Sequence, residues 1–247
     1  MRYLLVLSFL VLCTGLQAQV TVVNGASFRA DQPVAAGSWV SAFGAFTGVA
    51  STQNAAIPLP KDLGGVSVTV DGVAAPLNYV SATQFNFLIP YQTAPGLRTV
   101  AVKTSTATVD GTVRVITAGP GLFLKDTSVP PRGAILNQDN SENASDRPAI
   151  RGQVISIYAT GPGAIAQQVQ DGAAAPRSPL VLTKSTPQVY VGGVESQVQF
   201  SGLAPDFVGL WQINVTVPNL SFLSGRVPVK VFMDGVDSNE VTVFVAQ

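Results

Sequence analysis

VTVDGVAAPLNYVS, residues Val68–Ser81, alternates valine with a polar residue, breaks at Asp71-Gly72 and then resumes. A period of two marks a strand with one buried face. An Asp-Gly pair between two such runs marks a tight hairpin, because both turn residues need a positive φ. The same phrase returns as VYVGGVESQVQFSG, Val189–Gly202, with Gly192-Gly193 at the turn. Three more pairs keep the same order: VVN at Val22–Asn24 with ILN at Ile135–Asn137, GSWVSAFG at Gly37–Gly44 with GQVISIYA at Gly152–Ala159, and QFNFLIP at Gln84–Pro90 with QINVTVP at Gln212–Pro218. Ordered matches with slowly growing offsets mean a duplicated unit whose second copy carries longer loops.

Each copy reads as about seven short strands separated by Gly/Pro turns, the count of an immunoglobulin-like sandwich. The expected fold class is therefore all-β, with two immunoglobulin-like β-sandwiches in tandem. The first spans 19–117 and the second 132–247. Residues 118–131, rich in proline, are expected to be a stiff linker that Leu122 and Phe123 could pin against one unit. The one segment with a hint of helical period, Ala164–Gln170, is short.

Residues 1–18 read as a secretory signal peptide: Arg2, an apolar run from Leu4 to Leu16, then the small Ala18. Cys13 would suit a lipid anchor, but Leu12 stands where a small residue is wanted, so a plain leader is expected. The run is short for a membrane span and no second one follows. The expected location is secreted: extracellular, cell-surface or periplasmic. Without the leader the chain keeps thirteen basic residues against fourteen acidic ones, and nothing in that balance attracts nucleic acid. Charged residues make up 11% of the chain, too few for a disordered segment.

The chain has no histidine, and its single cysteine lies in the leader. That removes Ser-His, Cys-His and His-ligated metal chemistry. No G-x-S-x-G occurs. The acids fall mainly in turns, at Asp71, Asp110, Asp171, Asp234 and Asp237. No enzyme and no cofactor is expected, and a glycoside hydrolase built on paired carboxylates is a remote alternative. Asn137, Asp139, Ser141 and Asn143 are spaced like calcium ligands. Glu142 stands where an EF-hand loop needs Gly, and Pro148 where it needs Glu, so a polar surface loop is expected.

VVNGASF, GSWVSAFG, the run LPKDLGGVSVTVDGVAAPLNYVSATQFNFLIP, AILNQDNS, VISIYATGPG and GLAPDFVGLWQINVTVP resemble the Solibacter uncharacterised C-terminal domain family. These are exported bacterial proteins, often with this module at the end of a longer chain. The resemblance covers nearly all of the chain after the leader, although Asn140 replaces the usual Gly of the NQDG loop. The hairpin followed by a strand ending in Pro also resembles IPT/TIG domains, immunoglobulin-like modules of receptors, transcription factors and bacterial surface proteins. Neither resemblance implies a catalytic activity.

Gln84 and Asn86 share a strand face, as do Gln212 and Asn214, although strands disfavour such residues. Two readings follow. The amides could tie each strand to the loop before it, which recurrence in both copies favours, or they could form a polar patch for a glycan or peptide. Trp39, Tyr79, Tyr91, Phe207 and Trp211 could stack on sugars or pack in the core. Trp211 has the parity of core residues Ile213 and Val215, whereas Trp39 is out of phase with Val40 and Ala42. The candidate ligand contacts are Trp39, Gln84, Asn86, Trp211, Gln212 and Asn214. The expected function is contact without catalysis: adhesion or surface or matrix assembly with an extracellular protein or glycan. A carbohydrate-binding module is the alternative.

Overall fold

The computed structural model describes residues 20–247, so the leader lies outside the described residues. None of these residues is helical, and no helix long and apolar enough to cross a membrane is found among them. Ala164–Gln170 is a loop, whose Ile165 forms an isolated bridge with Thr183.

The first unit has principal strands β1 (Val20–Asn24), β2 (Trp39–Phe43), β3 (Val66–Val70), β4 (Leu77–Val80), β5 (Gln84–Leu88), β6 (Gly96–Lys103) and β7 (Thr108–Ile116). The second has β8 (Ile135–Leu136), β9 (Val154–Thr160), β10 (Gln188–Val191), β11 (Val198–Leu203), β12 (Trp211–Thr216), β13 (Gly225–Met233) and β14 (Val241–Val245). In the first unit β4, β5, β2 and β1 form one sheet and β3, β6 and β7 the other. In the second, β11, β12, β9 and β8 face β10, β13 and β14. Both have the constant-type immunoglobulin arrangement. In the first unit β1 also pairs in parallel with β7, so its two sheets join along one side.

Alternation explains the layers. Val66, Val68 and Val70 are buried between half-buried Ser67 and Thr69, and Ile213 and Val215 between half-buried Gln212, Asn214 and Thr216. Each inward face supplies one apolar core, the first around Phe85, Phe87 and Leu77, the second around Trp211, Ile157 and Val229. Phe46 stacks on Phe85 with ring centroids 4.2 Å apart. The hairpin turns have positive φ at both positions, 47° and 80° at Asp71-Gly72, 63° and 77° at Gly192-Gly193, as a type I′ turn requires.

Residues 118–131, read from the sequence as a linker, do not stand apart. Gly121–Leu122 pairs antiparallel with β9, and Leu122 is fully buried in the second core. The Asn239 side chain completes this short ladder: its Oδ1 accepts from Leu122 N at 2.8 Å and its Nδ2 donates to Leu122 O at 3.0 Å. Farther on, Asp126 accepts bonds from Ser128 and Arg132, which hold its carboxyl well below the usual range. Val129, between these anchors, is 94% exposed.

The Asn137–Asp146 loop is held by its own amides. Asn143 Nδ2 donates to Asn137 Oδ1 at 3.0 Å and to Phe244 O at 2.8 Å, while Asn143 Oδ1 accepts from Phe244 N at 2.7 Å. Of the oxygens spaced like calcium ligands, Asn143 Oδ1 joins the loop to β14, while Asn137 Oδ1 and Asp139 Oδ1 accept bonds within the loop from Asn143 and Ser141. Removing Asn143 leaves buried groups of Phe244 and Asn137 unpaired, so Asn143→Ala should cost about 2–3 kcal/mol. Leu122→Ala should cost about 2–5 kcal/mol. Chemical denaturation beside the wild type checks both, and limited proteolysis should cut near Val129 before reaching Leu122.

Candidate functional site

Strand β2 turns Val40 and Ala42 into the core and places half-buried Trp39 and buried Ser41 on the opposite face. Its neighbour β5 turns Gln84 and Asn86 to the same outer face, and the register sets Asn86 opposite Ser41. Asn86 Oδ1 accepts from Ser41 Oγ at 2.9 Å and from Gln84 Nε2 at 2.8 Å. The amides therefore bond along and across strands, and the expectation that they tie the strand to the preceding loop backbone is corrected. The reason is geometric: residues two apart on a strand lie side by side on one face. Asn86 keeps Nδ2, and Asn78 on β4 keeps its whole amide, without a hydrogen bond to the described residues.

Ser41, Asn78 and Asn86 line a groove of about 230 Å³ together with Phe28, Trp39 and Phe123. Phe28 sits in the β1–β2 loop at φ 58° with 53% of its surface exposed. Left-handed backbone is rare for an aromatic residue. Here Asn24 enforces it: its Oδ1 accepts from Ala26 N and Ser27 N, and its carbonyl accepts from Phe28 N at 2.8 Å. Phe123 comes from the segment attached to the second unit, so the groove is completed across the junction.

The junction is tightly made. Trp39 Nε1 donates to Val208 O at 2.9 Å, and Trp39 N donates to Thr160 Oγ1 at 2.7 Å. Val208 lies in the long β11–β12 loop and is buried with Leu59 and Leu88 of the first unit. Gly209, at φ 57°, lets this loop come close, since a Cβ there would collide with Leu88. Nearby, Tyr91 N donates to Asp171 Oδ1 at 2.9 Å and Leu59 N to Gly172 O at 2.8 Å. The Tyr91 ring packs against apolar residues of both units, and its hydroxyl is buried without a partner among the described residues. Burial, assisted by the Asp171 charge, pushes this phenol far above its ordinary value.

The second unit repeats half of the site. Gln212 Nε2 donates to Asn214 Oδ1 at 2.9 Å on the outer face of β12. Trp211 is corrected: it is fully buried in the second core, its indole N–H donating to Ser201 Oγ at 2.9 Å, so it has no surface for a ligand. Phe123 N donates to Tyr158 O, and Tyr158 stands opposite Gln212. With Leu122 and Ala159 facing inward, Phe123, Tyr158 and Gln212 form a row across the outer face. Of the sequence candidates, the structure brings Trp39, Gln84 and Asn86 together, with Gln212 and Asn214 farther along. It adds Phe28, Asn78, Phe123 and Tyr158. Phe28 and Phe123 carry no periodic signal, because both lie in loops.

A second hollow, about 440 Å³, opens between the units beside Tyr91, Ile116 and Lys184. Among the described residues no three His, Cys, Asp or Glu side chains gather as a metal would require.

No family model matches the chain, and no curated protein matches it. Among solved structures, the SGBP-B protein of the Bacteroides ovatus mixed-linkage glucan utilization locus, in complex with a mixed-linkage heptasaccharide, matches at 13% identity and a TM-score of 0.36. The match covers 87% of this chain and 42% of that one, so the chain spans less than half the length of that relative. Domains 5–6 of the S-layer protein SbsC match at 16% identity and a TM-score of 0.29, over 93% and 97% of the two chains. The titin tandem A168–A169 matches at 13% identity and 0.26, over 93% and 97%. The tandem immunoglobulin-like arrangement itself is given by the chain's own sheet topology.

The buried Tyr91 hydroxyl generates a test. The folded chain holds this proton more tightly than the unfolded chain does. The contribution of this phenol to stability is therefore constant below about pH 10 and turns unfavourable as the pH rises beyond the ordinary phenol value. Tyr91→Phe should flatten the resulting fall in stability, leaving the smaller share of Tyr158, also raised by burial. At neutral pH the variant should be as stable as the wild type or about 1 kcal/mol more so, because an unpaired buried hydroxyl is removed. Urea titrations between pH 7 and 11 check both.

Proposed function

We propose that this chain is a non-catalytic binding protein of the cell exterior whose ligand is a glycan, held in the groove between Phe28, Trp39 and Phe123. The observation that carries the reading is the groove's composition. Aromatic rings offer flat apolar faces that match the C–H faces of sugar rings, while uncommitted amides offer hydrogen bonds to hydroxyls. Trp39 is fixed through its N–H, so its ring needs little ordering when a ligand arrives. This geometry favours carbohydrate binding over adhesion by protein contact, the first expectation from the sequence.

Absence of catalysis is part of the proposal. A glycoside hydrolase needs one carboxyl raised to serve as acid. The perturbed carboxylates here, Asp31, Asp71, Asp126, Asp139 and Glu142, are all shifted downward by hydrogen bonds or paired cations. Export is supported by the leader-like residues 1–18.

Phe28→Asn tests the site. Asparagine suits the left-handed backbone, so folding should be unaffected, within about 0.5 kcal/mol. Loss of the ring should weaken retardation in polysaccharide-containing native gels by tenfold or more. Equal retardation of variant and wild type would move the ligand elsewhere.

A further inference from the structure

Phe123 both lines the groove and begins the row Phe123, Tyr158 and Gln212 on the second unit. We propose that the ligand is an uncharged glycan chain that lies across both units, one sugar between Phe28, Trp39 and Phe123 and later sugars along Tyr158 and Gln212. The proposal rests on the glycan-binding reading and adds the charge class and length of the ligand.

Charge is decided by the lining. Gly25, Phe28, Trp39, Ser41, Asn78 and Asn86 line the groove on the first unit's side, and none is ionisable at neutral pH. The adjacent Arg29 is paired with Asp31 at 2.7 Å. A uronic acid or sulfated sugar would lose hydration there and meet no cation in return, an unfavourable exchange. A neutral sugar needs only hydroxyl partners, which Asn86 Nδ2 and the Asn78 amide supply.

Length is decided by the register. Neighbouring strands lie about 4.8 Å apart, so Phe123, Tyr158 and Gln212 extend the face by roughly 10 Å. Gln212 gives its Nε2 hydrogen to Asn214 Oδ1, which leaves Gln212 Oε1 and Asn214 Nδ2 without a bond to the described residues. The second unit thus presents a ring with an acceptor and a donor beside it, the same kinds of group that line the groove. Trp39 bonded to Val208 holds the two halves at fixed separation.

Titration calorimetry of the full chain after the leader would use neutral gluco- and manno-oligosaccharides of two to eight units, with polygalacturonate as the acidic probe. Affinity for a neutral series should rise at least tenfold with chain length and then level off. Tyr158→Ala should remove that rise while leaving the shortest binding ligand unaffected, and Phe28→Asn should weaken every length. If Tyr158→Ala fails to fold, Gln212→Ala should give a smaller loss of the same kind. Preference for polygalacturonate would overturn the inference and leave glycan binding standing. Length-independent affinity, or a Tyr158 variant equal to wild type at every length, would overturn the span. No binding of either probe class would overturn the inference together with the reading beneath it.

Discussion

The indole N–H of Trp39 bonded to the carbonyl of Val208 joins the two sandwiches at the place where the candidate site forms. One strand residue of the first unit and one loop residue of the second are held together, with Leu59 and Leu88 excluding water around them. A hydrogen bond in such surroundings is costly to leave unmade. The relative position of Phe123 and Asn86, and hence the shape of the groove, follows from this closure. Two modules on a free linker would have no reason to present one face.

Duplication followed by unequal change explains why the aromatic-walled groove lies on the first unit and has no full counterpart on the second. The repeat aligns Ser41 with Ser156 and Asn86 with Asn214, so both copies keep the outward polar pair. It aligns Trp39 with Val154, so the second copy lacks the ring. Conversely, the loop between β11 and β12 is longer than its counterpart between β4 and β5, and that insertion carries Val208 and Gly209 into the first unit. Each copy therefore lacks something that the other provides.

The amides divide into two kinds of work. Asn137, Asn143 and Asn239 are buried or half-buried and imitate backbone, closing ladders that a short strand leaves open. Gln84, Asn86, Gln212 and Asn214 bond to each other on an outer face and keep spare capacity toward solvent. Residue type alone does not separate them. The partner does: backbone or the neighbouring loop for the first group, a side chain on the same face for the second.

The sequence by itself determined the class of fold, the duplication, the approximate number of strands in each unit and the turns at Asp71-Gly72 and Gly192-Gly193. These depend on near neighbours: alternation decides which face is buried, and positive φ decides which residues can turn. Parity also placed Trp39 out of phase with the core residues and Trp211 in phase with them, and the full burial of Trp211 removes it from the candidate contacts. Only the tertiary structure decided that residues 118–122 belong to the second unit, that Phe28 and Phe123 face Trp39, and that the Gln/Asn pairs bond to each other. Those outcomes depend on contacts between segments far apart in the chain and on how one sandwich lies against the other. Periodicity is a local property and carries no record of either.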